Sequence, residues 1–116
     1  MNVTSMVKGI DSIERFAAGT AIFRQGDLGD YMYVIMEGEV DVLVDGKYVR
    51  TLKDGEVFGE MALIDDQPRS ADAIARTDCS LAMVDERRFL FLVHETPMFA
   101  LHLMSMMAQR LRRQEV

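Results

Sequence analysis

The chain has 116 residues, 49% of them hydrophobic and 28% charged, and a formal net charge of −6. That length carries one hydrophobic core and predicts a single domain over 1–116 that stands alone, without an output module of its own. The acidic balance excludes a general nucleic-acid or anionic-membrane surface, because phosphate binding on that scale needs a basic face; an anion has to be captured locally.

Residues 1–18 are expected to form an N-terminal helical arm. Met1 to Gly9 is weakly patterned, whereas Asp11 to Ala17 reads as a short helix. Asp11 is its cap, Glu14 sits at the capping-box position, Ile13, Phe16 and Ala17 are free to pack, and Gly19 ends it. From Thr20 to Val84 the texture changes to short β-branched and apolar runs: TAIFR, YMYVIM, EVDVLV, YVRTL, ADAIAR and CSLAMV. Turns fall at Gly26 to Gly29, Gly38, Asp45-Gly46 and Asp54-Gly55. The fold class this predicts is mostly β with flanking helices: a double-stranded antiparallel β-roll, jelly-roll-like, over 19–84. Asp45-Gly46 suits the two positive φ angles of a type I′ hairpin and joins Val40 to Val44 with Lys47 to Leu52.

Within the roll, Phe58 to Ala71 (FGEMALIDDQPRSA) concentrates the polar chemistry. Gly59 permits a tight turn and a close approach of backbone to ligand. Glu60, Met61, Ala62 and Leu63 form a run of good helix formers that begins with an acid, so a short internal helix is expected there. Its first amides lack intrahelical partners and suit an anion. Pro68 stiffens the entry to the next strand and aims Arg69 and Ser70 back at the helix start. A ligand for all three features has an anionic phosphate for the amides and the arginine fork, and hydroxyls for the carboxylate. A sugar phosphate fits. In a plain β-roll, by contrast, Glu60 and Arg69 would be a surface ion pair and Gly59 only a turn residue.

Residues 85–116 read as C-terminal helices. Asp85 caps Glu86 to His94, whose Phe89, Leu92 and Val93 face a core. Thr96 and Pro97 start the last helix, which runs to about Arg113. Phe99, Ala100, Leu101, Leu103, Met104, Met106, Met107, Ala108 and Leu111 cover well over half its circumference, wider than one packing partner requires. One face is expected on the roll; the other meets a second copy of the helix, closes over a ligand, or both.

The Phe58 to Ala71 stretch resembles the phosphate-binding cassette of the cyclic nucleotide-binding domain family, found in protein kinase A regulatory subunits, the bacterial catabolite activator protein and cyclic-nucleotide-gated channels. The matching residues are Phe58, Gly59, Glu60, Ala62, Leu63, Pro68, Arg69, Ser70 and Ala71. The turns at Gln25 to Asp30 and around Gly38 extend the likeness from about Ile13 to Arg113, although Gly26, Gly29 and Gly38 read as turn glycines rather than ligand contacts. The resemblance implies a cyclic mononucleotide as ligand, with no cofactor. Arg69 would grip the exocyclic phosphate, Gly59 to Ala62 and Ala71 would offer backbone N–H groups, and Glu60 would take the ribose 2′-hydroxyl. Ser70 stands where a threonine often helps hold a syn guanine, which implies a modest preference for cAMP over cGMP. Arg110 falls where bacterial channel members place a lid arginine. On the residues alone, its place between Phe99, Leu103 and Met106 equally suits a side chain snorkelling to water.

No metal-ligand spacing, GxSxG elbow or P-loop is present, and an enzyme is not expected. A double-stranded roll also describes cupins, but no strand here carries the histidines of their metal set. Cys79, the only cysteine, cannot form an intrachain disulfide. It fits a core position and a reducing compartment. No run reaches the ~18 apolar residues of a membrane span and no leader pattern opens the chain, which makes the cytoplasm the expected location. The function expected is a regulatory sensor of cyclic nucleotides that signals through movement of its C-terminal helix to an effector protein or to the other half of a homodimer, without nucleic acid or membrane as direct partner. The alternative is a ligand-free structural or dimerisation module with the same roll. Retention of Glu60 and Arg69 favours the sensor.

Overall fold

Asp45 and Gly46 both have positive φ, 52° and 77°. This is the backbone a type I′ turn demands, and it joins β4 (Val40–Val44) to β5 (Lys47–Leu52) as the sequence predicts. The computed structural model describes residues 12–114. Its eight strands form two four-stranded antiparallel sheets. One sheet orders β1 (Ile13–Phe16), β8 (Cys79–Asp85), β3 (Tyr31–Glu37) and β6 (Val57–Phe58); the other orders β2 (Ala21–Phe23), β7 (Asp72–Ala75), β4 and β5. Among the described residues there are three helices: α1 (Met61–Ile64) inside the roll, then α2 (Glu86–Glu95) and α3 (Pro97–Gln114) after it.

The unbroken apolar runs of β3 and β8 have a simple origin: both strands are covered on both faces. Met32, Val34, Ala82 and Val84 point to one side and pack with Val57 against Leu92, Phe99 and Leu103 of the helices. Their alternates Tyr33, Ile35, Cys79 and Leu81 point into the space between the sheets and meet Val40, Leu52, Phe58, Ala73 and Ala75. A period of two divides each strand between two cores. Phe89 and Phe99 hold α2 against α3 edge to face, with ring centroids 6.0 Å apart. The Asp85 carboxylate caps α2 by accepting from the Arg88 amide at 2.8 Å. Cys79 is buried and free, and its Sγ donates to the Glu39 carbonyl at 3.2 Å.

Two segments depart from the sequence-based expectation. The helix expected over Asp11 to Ala17 is not formed: Ile13–Phe16 is β1, paired with β8 from Ile13↔Ala82 to Phe16↔Cys79. Pairing wins because β8 would otherwise leave a row of backbone groups unsatisfied along one edge, and that outweighs a weak local capping pattern. The rest of the expected helical arm, residues 1–11, lies outside the described residues. The second departure is β6, two residues long and paired with β3, which leads straight into the cassette.

On α3, Phe99 and Leu103 are buried while Leu101, Met104 and Leu111 are exposed, so one of the two expected apolar faces meets the roll. Phe99→Ala is expected to cost about 3–5 kcal/mol in urea unfolding, against less than about 0.5 kcal/mol for Met104→Ala. Equal effects at the two positions would show that α3 is not anchored through Phe99.

Candidate functional site

Phe58 closes β6 with its ring stacked on Tyr33, centroids 5.2 Å apart. Gly59 then turns the chain at φ 76°, and a Cβ there would stand 2.8 Å from Nη1 of Arg69. Glycine is required on both counts. Glu60 follows as N-cap of α1, but its side chain makes no capping hydrogen bond. It is turned inward and is 2% exposed.

Arg69 reaches the same place from the other end of the cassette. Its backbone is clamped by the Gln25 to Asp30 loop: its N–H donates to the Asp27 carbonyl and its carbonyl accepts from the Gly26 N–H, both at 2.8 Å. The side chain, 7% exposed, donates from Nη1 to the Gly59 carbonyl at 2.7 Å and from Nη2 to the Tyr31 carbonyl at 2.6 Å. The guanidinium lies 4.2 Å from the Phe23 ring centroid, a cation–π contact. A Cβ on Gly29 would run into it. That glycine therefore makes room for the arginine, a role beyond the turn. Nε is buried without any partner. Burial pushes the Arg69 pKa down, against the pull of Tyr33, Glu60, Asp30 and Asp27; arginine nonetheless stays a cation. Tyr33 is moved up by the same burial, with Arg69 opposing.

Glu60 does not pair with Arg69, so the surface ion pair of a plain roll is not what forms. Its partner comes from the far end of the chain: Arg110 of α3 donates through Nη1 to Oε1 of Glu60, and through Nη2 to the Val57 carbonyl at 2.5 Å. Arg110 does not snorkel to water; it turns in and ties α3 to the cassette.

These side chains border a cavity of about 460 Å³. Phe58 to Ala62, Arg69 to Ala71 and Arg110 all line it, so the residues singled out in the sequence share one space. Among the wall residues not foreseen are Val42 and Val44 of β4 and Arg50 of β5. The hairpin that carries these three was legible, but which of its faces turns toward the cassette depends on how the two sheets stack. Among the described residues no group of His, Cys, Asp or Glu is placed to hold a metal ion, and no single helix is long and apolar enough to cross a membrane. The cavity thus brings together a buried cation with one unpartnered donor, a carboxylate and apolar walls. That set suits a small anion-bearing ligand with hydroxyls and a flat apolar part.

Comparison with known proteins agrees in kind. The family model described as "Cyclic nucleotide-binding domain" matches residues 13–96. A cAMP-dependent protein kinase regulatory subunit of Eremothecium gossypii is 43% identical over 82 residues, covering 69% of this chain and 18% of its own length. The Cyclic AMP receptor protein of Thermus thermophilus is 38% identical over 102 residues, 84% of this chain and 47% of its own. The crystal structure of the Thermus thermophilus catabolite activator protein superposes with a TM-score of 0.81 at 31% identity, over 95% of this chain and 59% of that one. The chain therefore spans less than half the length of both curated relatives.

Removing one member of a buried ion pair leaves the other charge uncompensated. Glu60→Gln and Arg110→Leu should each lower stability in chemical denaturation, and the double variant should lose less than their sum, with a coupling of at least ~1 kcal/mol. Strict additivity would mean that the pair holds nothing together.

Proposed function

The chain belongs to the cyclic nucleotide-binding domain family, and on that premise we propose that its cavity takes a cyclic mononucleotide, with cAMP preferred over cGMP, and that occupancy is signalled through α3. The observation that carries this reading is Arg69, a buried cation with one donor, Nε, left without a partner. An unmet donor on a charged group is costly, and the exocyclic phosphate of a cyclic nucleotide supplies both the acceptor and the opposite charge. The amides of Gly59 to Ala62 and of Ala71, on the same cavity wall, add N–H groups to that phosphate. Glu60 engages Arg110 through Oε1; the other carboxylate oxygen accepts the ribose 2′-hydroxyl.

Glu60 then touches ligand and α3 at once, and this carries the signal. A sugar hydroxyl on the carboxylate changes the hold on Arg110, which lies along the cavity wall next to Leu111 and closes over the base as a lid. From α3 the message passes to an effector protein or a second copy of the chain. In the relatives the matched stretch is part of a longer protein, consistent with a regulatory part that acts on something else. Ser70 sets the nucleotide preference, lacking the methyl-bearing hydroxyl that would hold a syn guanine.

In calorimetric titration the protein should bind cAMP, and Arg69→Ala should weaken it by at least ~10-fold, the loss of about 1.5–3 kcal/mol expected for hydrogen bonds to a charged group. Ligand should also protect residues 97–114 in hydrogen exchange. Unchanged affinity in folded Arg69→Ala protein would remove the proposal. Ser70→Thr should move the cAMP to cGMP affinity ratio toward cGMP; movement the other way would assign the preference to another residue.

A further inference from the structure

Phe23 is brought to the cavity by an irregularity in its strand. On β2, Ala21 stands opposite Ile74 of β7 and Phe23 opposite Ala73, so β2 advances two residues where β7 advances one. Regular pairing would set Ile22 against Ala73 and leave Phe23 on the face of Ala21 and Ile74. The extra residue brings Phe23 instead to the face of Ala73, and both line the cavity. A bulge re-aims a side chain in this way.

Once there, the ring is held from two sides. Its centroid lies 6.0 Å from that of Tyr33 and 5.9 Å from that of Phe58, which themselves stack. The Arg69 guanidinium carbon stands over it at 4.2 Å, closer than over Tyr33 at 5.8 Å. Two carbonyls take Nη1 and Nη2 of that guanidinium, and Nε has no partner. A carboxylate in the place of the ring would neutralise the cation and compete with an anionic ligand. An aliphatic side chain would fill the space without attracting the charge. An aromatic face attracts the cation through its quadrupole and carries no net negative charge, so the arginine is gripped while its demand for an anion persists.

We propose that Phe23 is a positioning residue for phosphate capture: its ring holds the Arg69 guanidinium in the orientation that meets the phosphate and leaves the charge uncompensated. This inference rests on the cyclic-nucleotide reading of the cavity. Without the ring, the arginine spends part of its time in other orientations, and the apparent affinity falls with the fraction that is competent.

The test is calorimetry of cAMP on protein in which Phe23 is replaced by mono-, di- and trifluorinated phenylalanine, and on Phe23→Leu. Fluorine drains the π face with little change of shape, so a side chain that only fills space is indifferent to it. Affinity should fall stepwise along the series, reaching about 10-fold at the trifluoro ring, and by about 5-fold or more in Phe23→Leu. In the Arg69→Ala background the fluorinated rings should change affinity by less than about 2-fold, because no cation is left to hold. A flat response to fluorination, or equal losses with and without Arg69, would overturn the inference; where Arg69→Ala protein binds too weakly to titrate, the fluorination series decides by itself. Arg69→Ala also separates the two levels of argument. If it weakens cAMP while every fluorinated ring binds like wild type, the cavity binds cyclic nucleotides and only the role of Phe23 is lost. If wild type binds neither cAMP nor cGMP, both readings fall.

Discussion

A buried arginine is the constraint around which this roll is organised. Left in an apolar interior, the Arg69 cation would be prohibitively unstable. Two carbonyls, from Gly59 and Tyr31, accept from it. Phe23 lies under its plane. Two glycines at 29 and 59 leave the volume it occupies, and the Gln25 to Asp30 loop fixes its backbone on both sides. Two separate stretches of chain, Phe23 to Tyr31 and the turn at Gly59, are thereby committed to one side chain. A site built this way is rigid before any ligand arrives, which reduces the ordering cost of binding.

The Glu60–Arg110 pair has the opposite character. It joins residues fifty positions apart and links a four-residue helix inside the roll to an eighteen-residue helix outside it. Buried ion pairs contribute little net stability next to an apolar replacement but are sensitive to any change at either partner. Fixed geometry at Arg69 and a responsive contact at Glu60 occupy neighbouring turns of the same cassette. The first suits recognition and the second suits reporting.

What the sequence revealed and what it hid divide by range. The Asp45-Gly46 hairpin, the Gly59 turn, the Asp85 cap and the Thr96-Pro97 helix start were legible because each rests on the conformational preferences of two or three adjacent residues. The cassette was legible because a turn, a helix start and an arginine recur there at fixed spacing. β1 was misread because its local pattern favours a helix and only the exposed edge of β8 decides otherwise. β6 is two residues long, too short to show any period. The partnership of Glu60 with Arg110, and the turning of Arg50 toward the cavity, depend on how distant elements stack, which no window along the chain contains. Gly29 belongs in the same class: its turn was visible, but the guanidinium that forbids a side chain there is forty residues away.

α3 runs without a break from Pro97 to Gln114, with Phe99 sunk in the core near one end and Arg110 on Glu60 near the other. Eleven residues of helix separate the two, a rigid arm of about 16 Å. Pivoting by only ~10° about the phenylalanine would carry the arginine some ~3 Å, farther than a hydrogen bond can stretch. A small tilt at the fulcrum would therefore decide whether the contact at the tip is made or lost. On the proposed reading, in which α3 carries the signal, such an arm turns a small tilt at Phe99 into the making or breaking of the Glu60–Arg110 contact.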